Sequence, residues 1–141
     1  MTEPSPILAP VMALVMWSLV MWWWMYVTRV PAIMKSGMVM DATLPNGQQL
    51  SELPARVRWK ADNYNHLMEL PTLFYAVALV LAVAGDTSAL GVNLAWAYVA
   101  SRVVHSLFQA LVNKIEVRFG IFVVSSLILM ALTAHAACVV W

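Results

Sequence analysis

One cysteine, seven acidic residues and five glycines are few for 141 residues, and each shortage closes off a class of protein. With Cys138 alone, no disulfide can form within the chain and no cysteine-based metal site can be built. Nothing near Cys138 in sequence supplies the electropositive setting a reactive thiol needs, so it reads as a small lipid-facing or packing residue. Charged residues make up 11% of the chain, where a soluble domain carries about a quarter. A net charge of +1 lacks the basic excess that nucleic-acid binding calls for. The N-terminal segment MTEPSPILAP has Glu3 and no lysine or arginine, so the basic region of a cleavable signal is missing. The apolar run after it is also too long for a signal core, and is expected to stay as a membrane anchor.

What is abundant is apolar surface. Hydrophobic residues are 62% of the chain and mean hydropathy is +0.78. They fall into runs of membrane-spanning length. The expectation is a single all-α domain over residues 1–141, an integral membrane four-helix bundle with spans at about 7–27, 54–85, 90–113 and 118–140. Trp22, Trp23, Trp24 and Tyr26 suit an interfacial belt at the far end of the first span. Residues 29–53 form the one long connection, with Pro31, Gly37, Pro45 and the turn signal Asn46-Gly47. The other connections are short and force antiparallel neighbours. Seven of the eight basic residues lie on or beside the first and third connections, and the Asp86 turn and both termini have none. That asymmetry predicts those connections in the cytoplasm and both termini outside it. Arg56, Arg58 and Lys60 are expected to meet lipid phosphates there.

Two polar stripes interrupt this pattern. Arg58, Asp62, Asn65 and Glu69 are spaced 4, 3 and 4 apart, which places them on one helix face. Arg102, His105, Gln109, Asn113 and Glu116 form a second stripe leaving the third span. Ionisable groups at membrane depth usually face protein or water and mark a site. Pro71 cannot donate a backbone bond, so the carbonyl of Leu67 loses its partner, a kink is expected, and neighbouring helices or water must satisfy that oxygen. Arg102, inside an apolar stretch, needs a partner, with Glu69 the first candidate and Asp62 the second. Such a pair either locks helices or protomers together or forms a ligand or proton site. Asn65 is either interhelical glue or part of that site. Arg118 either snorkels to the interface or holds an anion, where a guanidinium would favour a thiolate. His66 and His105 lack a zinc-like spacing, and no metal is expected.

Three segments carry a family resemblance: KADNYNHLMELPTLFYAVALVLAVAG from Lys60 to Gly85, AWAYVASRVVHSLFQ, and NKIEVRFGIF. Together they resemble the MAPEG family, membrane proteins of eicosanoid and glutathione metabolism, over about residues 56–130. The resemblance implies four-helix protomers assembled as a homotrimer, with glutathione between protomers near the cytoplasmic side. It implies a transferase or peroxidase in which Arg118 stabilises the glutathione thiolate, while Asn65, Glu69, Arg102, His105 and Gln109 bind the peptide and shape the site. Glutathione would be a co-substrate, with no bound cofactor, and a lipophilic electrophile or lipid hydroperoxide would arrive from the bilayer. The match departs from the eicosanoid-forming members at several places. Met68 stands where the family's Asn-x-x-Glu-x-x-Pro pattern has its acid, with Glu69 one residue late. Tyr64, Gln109 and Phe119 replace an arginine, a tyrosine and a serine. The chain looks like a divergent bacterial-type branch, which implies a bacterial inner membrane. Two further readings are a non-catalytic trimeric membrane module and a small transporter using Glu69 and Arg102.

Overall fold

The computed structural model describes residues 3–141 as five α-helices and one 3-10 turn. The helices are α1 (Leu8–Ser36), α2 (Ala55–Leu67), α3 (Leu70–Val83), α4 (Ala89–Leu111) and α5 (Ile115–Val140). The 3-10 turn, Gln49–Glu52, lies in the α1–α2 connection. Because α2 and α3 are two halves of one interrupted rod, the architecture is the expected four-helix bundle.

Taken as one 29-residue rod, α2 and α3 are long and apolar enough to cross a membrane, and so are α1 and α5. α4 is long enough but carries the polar stripe, which lowers its hydropathy; it lies among the others, packed against α1, α2 and α5. α1 and α5 occupy opposite flanks, with α3 bridging towards α5. The interior is stitched by Leu14, Met21, Leu67, Phe74, Leu81, Tyr98 and Leu132, all fully buried. Phe74 stacks on Tyr98 with centroids 4.7 Å apart. The outer surface shows Met16, Trp23, Val83, Leu127 and Met130, as a lipid-facing surface should.

Two boundaries differ from the sequence expectation. α1 does not end at Val27 but runs through Pro31 to Ser36, where Gly37 at φ 65° closes it. Pro31 is tolerated because its face is exposed, and Thr28 bonds back to the carbonyls of Trp24 and Met25 one turn earlier. The connection therefore shrinks to residues 37–54. Gln49 clamps it, donating to the Val39 carbonyl at 2.8 Å and accepting from the Asp41 amide at 2.9 Å. α5 begins three residues earlier than expected, after a turn made by Asn113 at φ 54°. Arg118 thus lies in the first turn of α5.

The expected kink is a full break. Met68 and Glu69 leave helical geometry, Glu69 at φ −92° and ψ −106°, and α3 restarts with Pro71 in its first turn. Glu69 then accepts from the Thr72 amide at 3.0 Å and the Thr72 hydroxyl at 2.6 Å.

The opposite end of the bundle has its own fastening. Asp86 Oδ2 lies 2.9 Å from His135 Nε2, and the Ser88 hydroxyl donates to the same carboxylate oxygen at 3.0 Å. Ser88 caps α4 by accepting from the Gly91 amide at 3.2 Å. The cluster ties the α3–α4 turn to α5. Burial alone would raise the Asp86 carboxyl, but hydrogen bonds from His135 and Ser88 outweigh it and hold it below the usual aspartate range.

Candidate functional site

The break between α2 and α3 sets the geometry of the site. A helix C-terminus carries exposed carbonyls and partial negative charge, which a cation there relieves. Arg102 supplies that cation from α4, donating from Nη2 to the His66 carbonyl at 3.3 Å. The neighbour expected to satisfy a carbonyl freed by Pro71 is present, one residue earlier than Leu67. Arg102 forms no ion pair with Glu69 or Asp62 among the described residues. Glu69 instead pairs with His66, Oε2 to Nδ1 at 2.9 Å, and its side chain is 64% exposed.

The two stripes face opposite ways. On α4, Arg102, His105 and Gln109 all point inward and are buried, together with Tyr98 and Ser106. Nε and Nη1 of Arg102, both ring nitrogens of His105, Oγ of Ser106 and Oε1 of Gln109 are buried without a partner among the described residues. Asn63 of α2 adds two more such atoms. On α2, by contrast, Arg58, Asp62, Asn65 and Glu69 are all exposed. The stripes therefore do not meet within one chain. The buried residues of α2 are Lys60, Ala61, Asn63 and Leu67, with His66 turned towards α4 and α5. Asn113 and Glu116 also leave the second stripe, because α4 ends at Leu111. Asn113 accepts from Arg118 Nη1 at 2.7 Å, and Glu116 is exposed.

The α2 stripe borders a polar groove of about 380 Å³ beside the end of α1. Asn65, Asp62 and Arg58 form one wall. Arg29 of α1 and the Asn46–Gly47 turn with Ser51 form the other. Nε of Arg29 is buried with no partner among the described residues. Arg29, Asn46 and Ser51 carry no site signal in the sequence, where Arg29 lies past the apolar run of the first span and reads as part of the connection. Lys60, buried beside them, holds the flank together: its Nζ donates to the Arg56 carbonyl at 2.7 Å and lies 5.2 Å from the centre of the Trp24 ring.

On the other flank of the stripe, His66 lies against His105, ring centres 4.9 Å apart, and against Phe122 of α5 at 5.3 Å. Arg102 and Arg118 both lie close enough to act electrostatically on His66 and His105. From the break, an apolar groove of about 560 Å³ runs between α3 and α5, lined by Leu70, Leu73, Leu129 and Met130. The polar groove walled by the α2 stripe thus lies at the end of the bundle that carries the α1–α2 connection, and the apolar groove runs from the break at Leu70 along α5 as far as Ala137.

Fold and site together define an all-helical membrane bundle with a lateral polar face at one end. The MAPEG family model matches residues 7–138, nearly the whole chain, and the chain belongs to the MAPEG family. It is an integral membrane protein. No curated protein and no solved structure matches it.

Proposed function

We propose that the lateral polar face binds glutathione and that the protein adds its thiol to a lipophilic electrophile, or uses it to reduce a lipid hydroperoxide. The observation that carries this reading is the groove beside Asn65. Glutathione presents two carboxylates, one ammonium and two peptide groups. The groove presents Arg29 and Arg58 to carboxylates, Asp62 to an ammonium, and Asn46, Ser51 and Asn65 to peptide groups. The unpartnered Nε of Arg29 is a donor waiting for such an acceptor.

The thiol end lies towards Glu69 and Arg118. Arg118 sits in the first turn of α5, where its guanidinium and the helix N-terminus add to one positive field. A thiolate is favoured in such a field. Arg102, His105 and Gln109 act from behind, holding the α2–α3 break and the polar interior in place. The apolar groove at Leu70 offers the lipophilic partner a path from the bilayer to the stripe.

An exposed row of Asp62, Asn65 and Glu69 on a rod long and apolar enough to cross a membrane calls for a protein cover. A homotrimer supplies it, placing the site between copies. The basic end faces the cytoplasm of a bacterial inner membrane in this reading, by the charge bias of the connections.

The test is glutathione titration of purified protein, read by calorimetry and by thiolate absorbance. Binding at millimolar glutathione is expected, with weaker binding in Arg58→Ala and loss of the thiolate signal in Arg118→Ala. No binding at that concentration overturns the reading and leaves the non-catalytic trimeric module. A solute flux in proteoliposomes abolished by Glu69→Ala would point to a transporter instead.

A further inference from the structure

The His66–Glu69 pair has the geometry of an oriented base. The Glu69 carboxylate lies 2.9 Å from Nδ1 of His66. A carboxylate in that place accepts from Nδ1–H and fixes the tautomer in which Nε2 carries the free lone pair. Among the described residues Nε2 has no partner, and it is not fully buried, so it opens to the surface. The imidazole is also held in place. His105 and Phe122 flank its ring, and Arg102 holds its backbone carbonyl. The charged and titratable groups facing it are Glu69 from its own segment, Arg102 and His105 from α4, and Arg118 from α5.

We propose that His66, oriented by Glu69, takes the proton from the glutathione thiol. The inference rests on the reading given under Proposed function and names the base in that site. The S–H bond breaks, its electron pair stays on sulfur, and the proton goes to Nε2. Glu69 offsets the imidazolium that forms, and Arg118 offsets the thiolate. The sulfur pair then forms the C–S bond with an electron-poor double bond. The displaced π pair collects at the far atom and takes the proton back from Nε2. The net change is addition of the thiol across the double bond, with no oxidant or reductant consumed. Arg102 and Arg118 favour the thiolate but oppose the imidazolium, and the Glu69 carboxylate offsets that opposition; neither cation occupies Nε2.

The test is the pH profile of kcat/KM for conjugation by full-length protein in lipid nanodiscs, using an electron-poor alkene, with glutathione affinity measured alongside. His66→Gln should bind glutathione within about twofold of the parent. It should lose rate at neutral pH on the order of 10²-fold. Its acid limb should move up towards the ionisation of the free thiol. Added imidazole should restore rate in His66→Gly. Glu69→Gln should lose rate on the order of tenfold with the limb moved the opposite way, to lower pH, because the carboxylate that favours the imidazolium is gone. Where a His66 variant does not fold, the limb in Glu69→Gln decides. Binding intact with rate and acid limb unchanged overturns the inference and leaves glutathione binding standing. Absence of glutathione binding by the parent overturns the reading and the inference together.

Discussion

Gly91→Ala should loosen the far end of the bundle, and the size of the effect follows from two distances. A methyl at Gly91 would lie 2.6 Å from Asp86 Oδ2 and 3.2 Å from His135 Nε2. The first contact is not tolerable, so the Asp86 carboxylate must turn away. It then loses its contact with His135 at 2.9 Å and its bond from Ser88 at 3.0 Å. A hydrogen bond to a charged group contributes about 1.5–3 kcal/mol. Alanine in place of a helical glycine returns about 0.5–1 kcal/mol. With two such bonds lost, the net loss expected is about 2–5 kcal/mol. Gly120→Ala is the matched control: a methyl there meets nothing within 4 Å, so only the gain of about 0.5–1 kcal/mol remains. Unfolding of both variants in detergent micelles, followed by circular dichroism, gives the comparison. Gly91→Ala as stable as Gly120→Ala would refute the reasoning, because the Asp86–Ser88–His135 cluster would then contribute nothing.

The same cluster gives a pH dependence. The Asp86 carboxyl sits below the usual aspartate range in the folded protein, so its contribution is complete above that range and is lost as pH falls through the folded value. Thermal unfolding should therefore show an acid-side decline that Asp86→Asn removes. Arg102→Met should unfold at the same temperature as the parent or higher, since Arg102 is 1% exposed with two unpartnered donor nitrogens, while thiolate formation falls. Arg102→Ala, which adds a cavity, should instead cost about 2–4 kcal/mol in a denaturation series. Pro71→Ala should let α2 and α3 join, raising helical signal slightly and lowering the rate of conjugation as the His66–Glu69 pair is displaced.

The helices were legible because membrane-length apolar runs and short connections leave few alternatives. The interruption near Pro71 was legible for a local reason, a missing donor. Which way each stripe faces was not. Periodicity shows that Arg58, Asp62, Asn65 and Glu69 share a face, as Arg102, His105 and Gln109 do, but not what that face meets. Packing decides it: Asn63 and Leu67 fill the interior, and the α2 stripe is left outside. The expected Glu69–Arg102 pair failed for the same reason. Once the helix breaks at Met68, Glu69 turns to His66 and Arg102 takes the His66 carbonyl. His66 carries a readable signal, its three-residue spacing from Glu69, but spacing alone does not tell an oriented base from a residue that lines a polar pocket. Arg29 was missed because proline usually ends a helix and here does not.

The central claim is that glutathione lies along the exposed face of α2. A structure of the purified protein soaked in glutathione tests it most directly. The account predicts peptide density against Arg29, Arg58 and Asn65, with the sulfur beside His66 and Arg118. An empty groove, or glutathione bound elsewhere on the bundle, would contradict it.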